Sequence, residues 1–405
     1  MELLTPAGGL EQLRYAVHFG ADAVYLAGER FGLRERAENF HGVDLPFAVS
    51  YAHEHGKKAY IAANALVHEG DLPEFQAYIQ TLGEIGADAA IVSDPAAIEM
   101  LQEFAPNVAI HLSTQASVVN ARTARWYHSL GVKRIVLARE LSLGEIAAIR
   151  DSVPDSLELE VFVHGAMCIA YSGRCLISNY LVGRDANRGG CTQPCRWRWS
   201  LQEETRPGEY FPIEEDGGHS FVLSSADLNM LEHIDDLRRV GVDSLKIEGR
   251  VKGAYYVGVV TNAYRRVIDG EPAQRYSSEL DTVSHRPYHT GFFYGTPAQS
   301  YEGREYTQTC DFVGGVKACT LEGDGCFRIS FTLRNRIYRD DVLEVLSPGR
   351  DVFEVTCTDL CDVDGIPCAV ADHNAHVYSF TSDTPLAPLD ILRKRRVNTE
   401  IQAGR

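Results

Sequence analysis

Four times in its first 270 residues the chain passes through a glycine, an apolar residue and a charged residue, and then enters a strand-like run. These are Gly20-Ala-Asp-Ala, Gly86-Ala-Asp-Ala, Gly131-Val-Lys-Arg and Gly241-Val-Asp-Ser. A glycine closing a helical pattern supplies the left-handed conformation that ends a helix. A strand starting so soon afterwards leaves room only for the short turn of an αβ unit. Strand candidates fall at Glu2–Thr5, Ala23–Ala27, Lys58–Ala63, Ala89–Ser93, Val108–Ser113, Lys133–Ala138, Leu157–Val163, Ser220–Ser224 and Asp243–Ile247. Between most of them lie helical patterns such as Leu10–Phe19 and Leu72–Ile85, with apolar residues at helical spacing. Repeated βα units of this kind fold as a TIM-like α/β barrel or as a doubly wound sheet, and the barrel is the preferred reading. Nine candidates compete for the eight places of a closed barrel, so one is surplus.

Polar residues gather where barrel chemistry belongs. Alternate residues of a strand share a face, which aligns His111, Ser113 and Gln115 in IHLSTQAS and Lys246, Glu248 and Arg250 in LKIEGR. Asn64 ends YIAAN, Arg139 and Glu140 end IVLARE, and His164 ends LEVFVH. All lie at carboxyl ends of predicted strands, the face on which barrel active sites are built.

Directly after the His164 strand comes Cys168-x6-Cys175-x15-Cys191-x3-Cys195, preceded by 167 residues without a cysteine. Four soft ligands in one short, glycine-rich segment suit an iron–sulfur cluster or a zinc ion, with buried structural thiols as the plainer alternative. The start of the chain has no basic flank leading into an apolar run, and no apolar stretch reaches membrane-spanning length. A cytoplasmic, reducing location is therefore expected, where clustered cysteines bind metal rather than form disulfides. The later cysteines (Cys310, Cys319, Cys326, Cys357, Cys361 and Cys368) read as core or surface thiols.

The organisation expected is a barrel over residues 1–270, a linker over 271–300 and a C-terminal small β-barrel over 301–405. The last is signalled by short alternating runs such as CFRISFTL and DVFEVTCT. A net charge of −17 argues against indiscriminate nucleic-acid binding, so any such contact must be local. The densest basic run is Arg393, Lys394, Arg395 and Arg396, readable as a solvated tail or a phosphate contact.

Together the segments ELLTPAGGLEQLRYAVHFGADAVYLAG, FVHGAMCIAYSGRCLISNYLVGRDANRGGCTQPCRW and SLKIEGR resemble the U32 family, historically named as peptidases, along essentially the whole chain. FGLRERAENF, IHLSTQASVVN, ARELSLGEI, RPGEYFPIEED and HRPYHTGFF are most similar to its tRNA uridine hydroxylase branch. That resemblance implies C5-hydroxylation of the wobble uridine with prephenate as hydroxyl donor, and a [4Fe-4S] cluster. Cys168, Cys175, Cys191 and Cys195 are the economical ligand set, since the chain has no other cysteine before Cys310. A dianionic co-substrate calls for arginine forks, for which Arg34, Arg36, Arg139 and Arg250 are candidates. Asn64 and Gln115 are further substrate-binding candidates, and His111, Lys246 and Glu248 are the catalytic ones. For tRNA the candidates are Arg184, Arg188, Arg196 and Arg198 beside the cysteines and Arg393, Lys394, Arg395 and Arg396 at the end, with Tyr180, Trp197 and Trp199 able to stack on bases.

The alternatives are a peptidase of collagenase type, a hydroxylase acting on ribosomal RNA or a quinone precursor, and a non-enzymatic RNA-binding factor. The chain has no His-Glu-x-x-His helix, no Gly-x-Ser-x-Gly elbow and no Cys-x3-Cys-x2-Cys triplet of the radical-SAM kind, since position 198 is Arg198.

Overall fold

A computed structural model describes residues 1–34, 37–168, 170–197, 200–201, 211–212, 226–295 and 306–396. Eight parallel strands close into a barrel: β1 (Glu2–Pro6), β2 (Ala23–Leu26), β3 (Lys58–Ala63), β4 (Ala89–Val92), β5 (Ala109–Leu112), β6 (Arg134–Val136), β7 (Glu158–Ala166) and β8 (Ser244–Ile247). Each pairs with the next, and β8 completes the ring by pairing with both β7 and β1. Helices α1 (Leu10–His18), α2 (Asp44–Glu54), α3 (Leu72–Glu84), α4 (Pro95–Phe104), α5 (Ala121–Ser129) and α6 (Leu143–Ser152) follow the first six strands in turn. No helix of the described residues is long and apolar enough to cross a membrane.

The recurring glycine motif does two jobs. Gly20, Gly86, Gly131 and Gly241 all have positive φ, as the turn out of a helix requires. The aspartate two positions later then stitches neighbouring strands. Asp22 accepts the backbone N–H of Leu3, Asp88 that of Ala59, and Asp243 that of Leu159, each at 2.8 Å. The ninth strand candidate, Ser220–Ser224, lies outside the described residues, and the ring closes without it. A short strand at Asp227–Asn229 instead runs antiparallel to the end of β7, outside the ring.

The interior of the barrel is layered. Leu4, Tyr25, Tyr60 and Ile91 form an apolar belt. Below it Arg134 is buried among Glu2, Glu158 and Glu160, and Ser244 bonds to the same carboxylates. A buried guanidinium is tolerable only when so surrounded.

Residues 271–300, expected as a linker, are part of the barrel as far as they are described. Leu280 and Val283 belong to its core, and Tyr288–His289 pairs with the strand Asp227–Asn229. The segment lacks α-helical periodicity because its described part is built of two 3-10 helices, Ala273–Arg275 and Ser277–Thr282, and a short strand, all packed on the barrel.

The C-terminal domain is a curled, seven-stranded antiparallel sheet. Its order is Phe353–Thr356, Val342–Leu346, Ile391–Arg395, Cys310–Leu321, Phe327–Leu333, Val377–Ser382 and Thr358–Cys361. The two outermost strands are consecutive in sequence, joined by Cys357 alone, so the sheet must curve back on itself. Cys310, Cys357 and Cys361 are buried thiols of this domain, while Cys319, Cys326 and Cys368 are partly covered.

The basic run at the end of the chain is not a free phosphate-binding tail. Arg393 lies on the interior strand Ile391–Arg395 with its side chain fully buried, paired with Glu279 of the barrel side (2.7 Å) and Glu344 of its own sheet (2.8 Å). Lys394 pairs with Asp341, Arg395 with Glu344 and Arg396 with Asp311. The RNA-contact reading is therefore corrected for Arg393, and the other three cations already have carboxylate partners. Arg393 is instead an interdomain clamp, beside the parallel stack of Tyr255 on Phe312 at 5.2 Å. Removing it strands the Glu279 carboxylate and leaves Glu344 with Arg395 alone. Arg393→Ala is expected to cost about 3–5 kcal/mol of stability, measured by denaturant unfolding, with no loss of RNA affinity in the folded protein. Weakened RNA binding at unchanged stability would restore the phosphate-contact reading.

Candidate active site at the barrel mouth

At the carboxyl ends of the strands the barrel opens into a cavity of about 110 Å³. Its floor is made by Tyr25, Ile91, Val136 and Phe162, and its wall by Arg34, Asn64, Ser113, Gln115, Arg139, Lys246, Glu248 and Arg250. Cys168, Cys175, Cys191 and Cys195 face the same space. The pleat accounts for much of this. Lys246 and Glu248 project inward from β8 and its end, and Arg250 follows from the next alternate position. His111 does not reach the cavity. It sits one step deeper on β5, edge-on to Tyr60 at 4.7 Å, where burial, together with Arg134 and Lys246, holds it neutral far below the usual histidine range. Alternation predicted its face correctly but not its depth, and its assignment as a catalytic residue is corrected.

The wall is strongly cationic. Glu248 forms ion pairs with Arg34 at 3.4 Å and with Arg139 at 3.7 Å. Burial alone would raise its pKa, but Arg34, Arg139 and Arg250 outweigh burial and hold it below the ordinary carboxylate range. Lys246 is buried on Glu160 at 2.8 Å, between the rings of Tyr25 and Phe162. Lys246 being neutralised, three guanidiniums face one carboxylate, a surplus of two positive charges before the thiols are counted. Arg139 lies over Phe162 at 3.9 Å and donates to the carbonyl of Ala166. Several buried polar atoms here have no protein partner: Nη1 of Arg250, Nε of Arg139 and Oε1 of Gln115. Buried donors left unmade are costly, and their convergence on one cavity marks a place for an anionic, hydrogen-bonding ligand.

Short contacts fix the surrounding loops. Asn64 accepts the N–H of Leu33 and donates to Ser113, tying the Arg34 loop to the barrel. Gly165, at φ +99°, lets the start of the cysteine segment pass close to the β8 end: a Cβ there would lie 2.6 Å from the Glu248 carbonyl oxygen. Beyond it, Glu140 accepts from both the N–H (2.6 Å) and the hydroxyl (2.8 Å) of buried Ser172. Arg174 donates to the Gln115 carbonyl at 2.7 Å. Asn187 brackets Cys175 by accepting from its N–H and donating to its carbonyl. The cysteine segment is thus pinned to the barrel between its first and third cysteines.

All four cysteines are free thiols. The N–H of Ile177 points at the Cys175 sulfur at 3.4 Å. Arg34 is held strongly protonated, by Glu248 foremost and, against burial, by Cys168 and Cys191. Among the described residues no three Cys, His, Asp or Glu side chains converge as the ligands of a single ion would. Four thiols around one cavity beside cationic groups suit a polynuclear cluster, in which each sulfur binds a different iron.

Other candidates are placed as follows. Arg184 is exposed, and Arg188 is held by Asp71 at 2.9 Å. Arg196 closes a short turn, Pro194–Arg196. Arg36, Arg198 and Trp199 lie outside the described residues. Sequence reasoning missed Phe162 and Glu160, whose signal was present: in LELEVFVHG the positions 157, 159, 161 and 163 are all apolar, and the alternate face carries Glu158, Glu160, Phe162 and His164. The clamps made by Glu140 and Asn187 carry no comparable signature.

Comparison with known proteins gives a consistent picture. The family model described as Peptidase family U32 matches residues 8–303, and that described as Peptidase family U32 C-terminal domain matches residues 308–393. A Bacillus subtilis (strain 168) protein named tRNA hydroxylation protein P1 is 38% identical over 405 residues, spanning 97% of this chain and 94% of its own. The Escherichia coli (strain K12) tRNA hydroxylation protein P is 36% identical over 399 residues, spanning 87% of each. The 23S rRNA 5-hydroxycytidine C2501 synthase of Escherichia coli (strain K12) is 38% identical over 269 residues, spanning 66% of this chain and 39% of its own.

Proposed function

Because the chain belongs to peptidase family U32, we propose that it is a tRNA-modifying hydroxylase that installs a hydroxyl at carbon 5 of the wobble uridine, with prephenate as the hydroxyl donor. The observation that carries this reading is one cavity combining four thiols with a buried arginine wall whose donors are incompletely used. The names and full-length coverage of the Bacillus subtilis and Escherichia coli relatives support tRNA as the substrate.

Replacing C–H by C–OH oxidises the base by two electrons, and the hydroxyl donor is reduced by the same two: the base C–H and donor C–O bonds break, the base C–O bond forms, and the donor takes up hydrogen in place of its hydroxyl. A [4Fe-4S] cluster held by Cys168, Cys175, Cys191 and Cys195 would supply redox chemistry beside the base. The chain's own groups do the rest. Arg250 and Arg139 hold the carboxylates of the donor through paired N–H groups. Arg34, fixed on Glu248, keeps the thiol side of the cavity cationic. Asn64, Ser113 and Gln115 offer hydrogen bonds that distinguish a uracil edge from water. Lys246, its charge balanced by Glu160, is a candidate to orient the anion through its N–H groups. A tRNA base reaches this depth only after leaving its stack.

A peptidase reading finds less support. A thiol nucleophile needs an adjacent base, and among the described residues no histidine lines the cavity. His164, four residues before Cys168, has its ring among Tyr256, Tyr264 and Tyr288. Mass spectrometry of tRNA nucleosides from cells with and without the gene tests the proposal, with loss of wobble 5-hydroxyuridine and its derivatives as the expected result. An unchanged tRNA inventory would overturn it. Loss of a hydroxylated base from ribosomal RNA would move the substrate there, the second reading that the rRNA-modifying relative favours.

A further inference from the structure

We propose that the outer face of α7 (Ile177–Val182), with the loops flanking it, is a base-stacking platform that holds an unpaired RNA loop beside the cavity opening. This inference rests on the tRNA reading above. Ile177 at the start of α7 lines the cavity, whereas Tyr180 is 84% and Leu176 56% exposed. Leu181, Val182, Tyr171 and Trp197 are also exposed large apolar side chains in the same cysteine segment. Such a concentration of apolar surface at the rim of a site marks an interaction surface rather than packing.

The charge around it selects the partner. Between Cys168 and Trp197 the sequence carries four arginines (Arg174, Arg184, Arg188 and Arg196), one acidic residue (Asp185) and neither lysine nor glutamate, in a chain of net charge −17. Arg188 is paired with Asp71, whereas Arg174 and Arg184 are exposed in the same segment as the exposed aromatics, so the cationic surface there is local. Arginines tracking phosphates beside aromatic rings that accept base faces is the chemistry of single-stranded nucleic-acid recognition. A second copy of the chain packed through this same face would bring like charge against like. Arg174 is already oriented by its Nε–H bond to the Gln115 carbonyl, which ties the platform to the cavity wall. Bases stacked on Tyr180 and its neighbours would hold the loop open while the adjacent target base turns into the cavity.

The test is fluorescence anisotropy of the full-length protein with a labelled, unmodified anticodon stem-loop. Tyr180→Ala is expected to raise Kd about fivefold or more, whereas Tyr180→Phe, which keeps the ring, should bind as the parent does. The salt dependence should be unaltered in Tyr180→Ala and shallower in Arg174→Ala. Circular dichroism and the melting midpoint control for folding. Parent-like affinity of Tyr180→Ala, in a protein that binds and hydroxylates tRNA, overturns the platform and leaves the function standing. Failure of the parent protein to bind the stem-loop overturns both. A parent dimer that Tyr180→Ala dissociates, seen by sedimentation, makes the face an interface between copies and also overturns the platform.

Discussion

Protein isolated without oxygen will be brown and carry about four irons per chain, and alanine at Cys168, Cys175, Cys191 or Cys195 will remove the colour and most of the iron. Substitution at Cys175 should be among the most severe, because Asn187 fixes that residue through both its N–H and its carbonyl. No spare thiol stands nearby in sequence; the next cysteine is Cys310, which is buried in the C-terminal domain. Iron analysis and visible absorbance of the four variants measure the effect directly, without reference to turnover. Full iron retention in Cys168→Ala or Cys175→Ala would remove the ligand assignment. Stoichiometric zinc without iron in the parent protein would replace the cluster with a different metal.

Arg250→Ala is expected to weaken prephenate binding about 10- to 100-fold, because a hydrogen bond to a charged group contributes about 1.5–3 kcal/mol. The folded protein should tolerate the change, since Nη1 of Arg250 has no protein partner and Glu248, which Arg250 helps to keep charged, retains Arg34 and Arg139. Arg250→Lys should recover only part of the loss, for an ammonium cannot reproduce the planar fork. Titration calorimetry with prephenate gives the affinities, and unchanged binding in both Arg250→Ala and Arg139→Ala would exclude this wall as the anion site. Acid should weaken the site by a separate route. Glu248 has a depressed pKa, so its contribution to stability is complete above the ordinary carboxylate range and disappears as pH falls through the depressed value. The Arg34 and Arg139 orientations it maintains should accordingly survive across neutral pH and fail only in acid.

Much of the barrel was written locally. The Gly-x-Asp punctuation needs only a helix end and the next strand start, and the backbone N–H groups that its aspartates accept lie on the adjacent strand. Two-residue alternation then placed Lys246, Glu248 and Arg250 on one inner face, and the spacing of the four cysteines placed them in one loop at the barrel mouth. These are properties of short stretches of backbone, where sequence separation and spatial separation nearly coincide.

What required the tertiary structure was depth, closure and partnership. Alternation assigns His111 to the inner face, but the stagger of eight strands puts it beneath the cavity instead of in its wall. Ring closure comes from pairing of β8 with both β7 and β1, a partnership across the whole barrel that the strand segments do not announce one by one. The run Arg393–Arg396 has the composition of a solvated or phosphate-binding tail. Arg393 is buried because Glu344 and Glu279, 49 and 114 residues away, are brought to it by folding. Tyr180 shows the reverse, an aromatic that composition alone would assign to a core and that the fold leaves in solvent. The sequence by itself determined the periodic elements and the chemistry they carry, because those depend on neighbours in the chain. Which charges are neutralised, which rings are exposed and which side chains meet in the cavity were decided only when distant segments packed together, since burial and ion pairing are set by whatever lies across the contact.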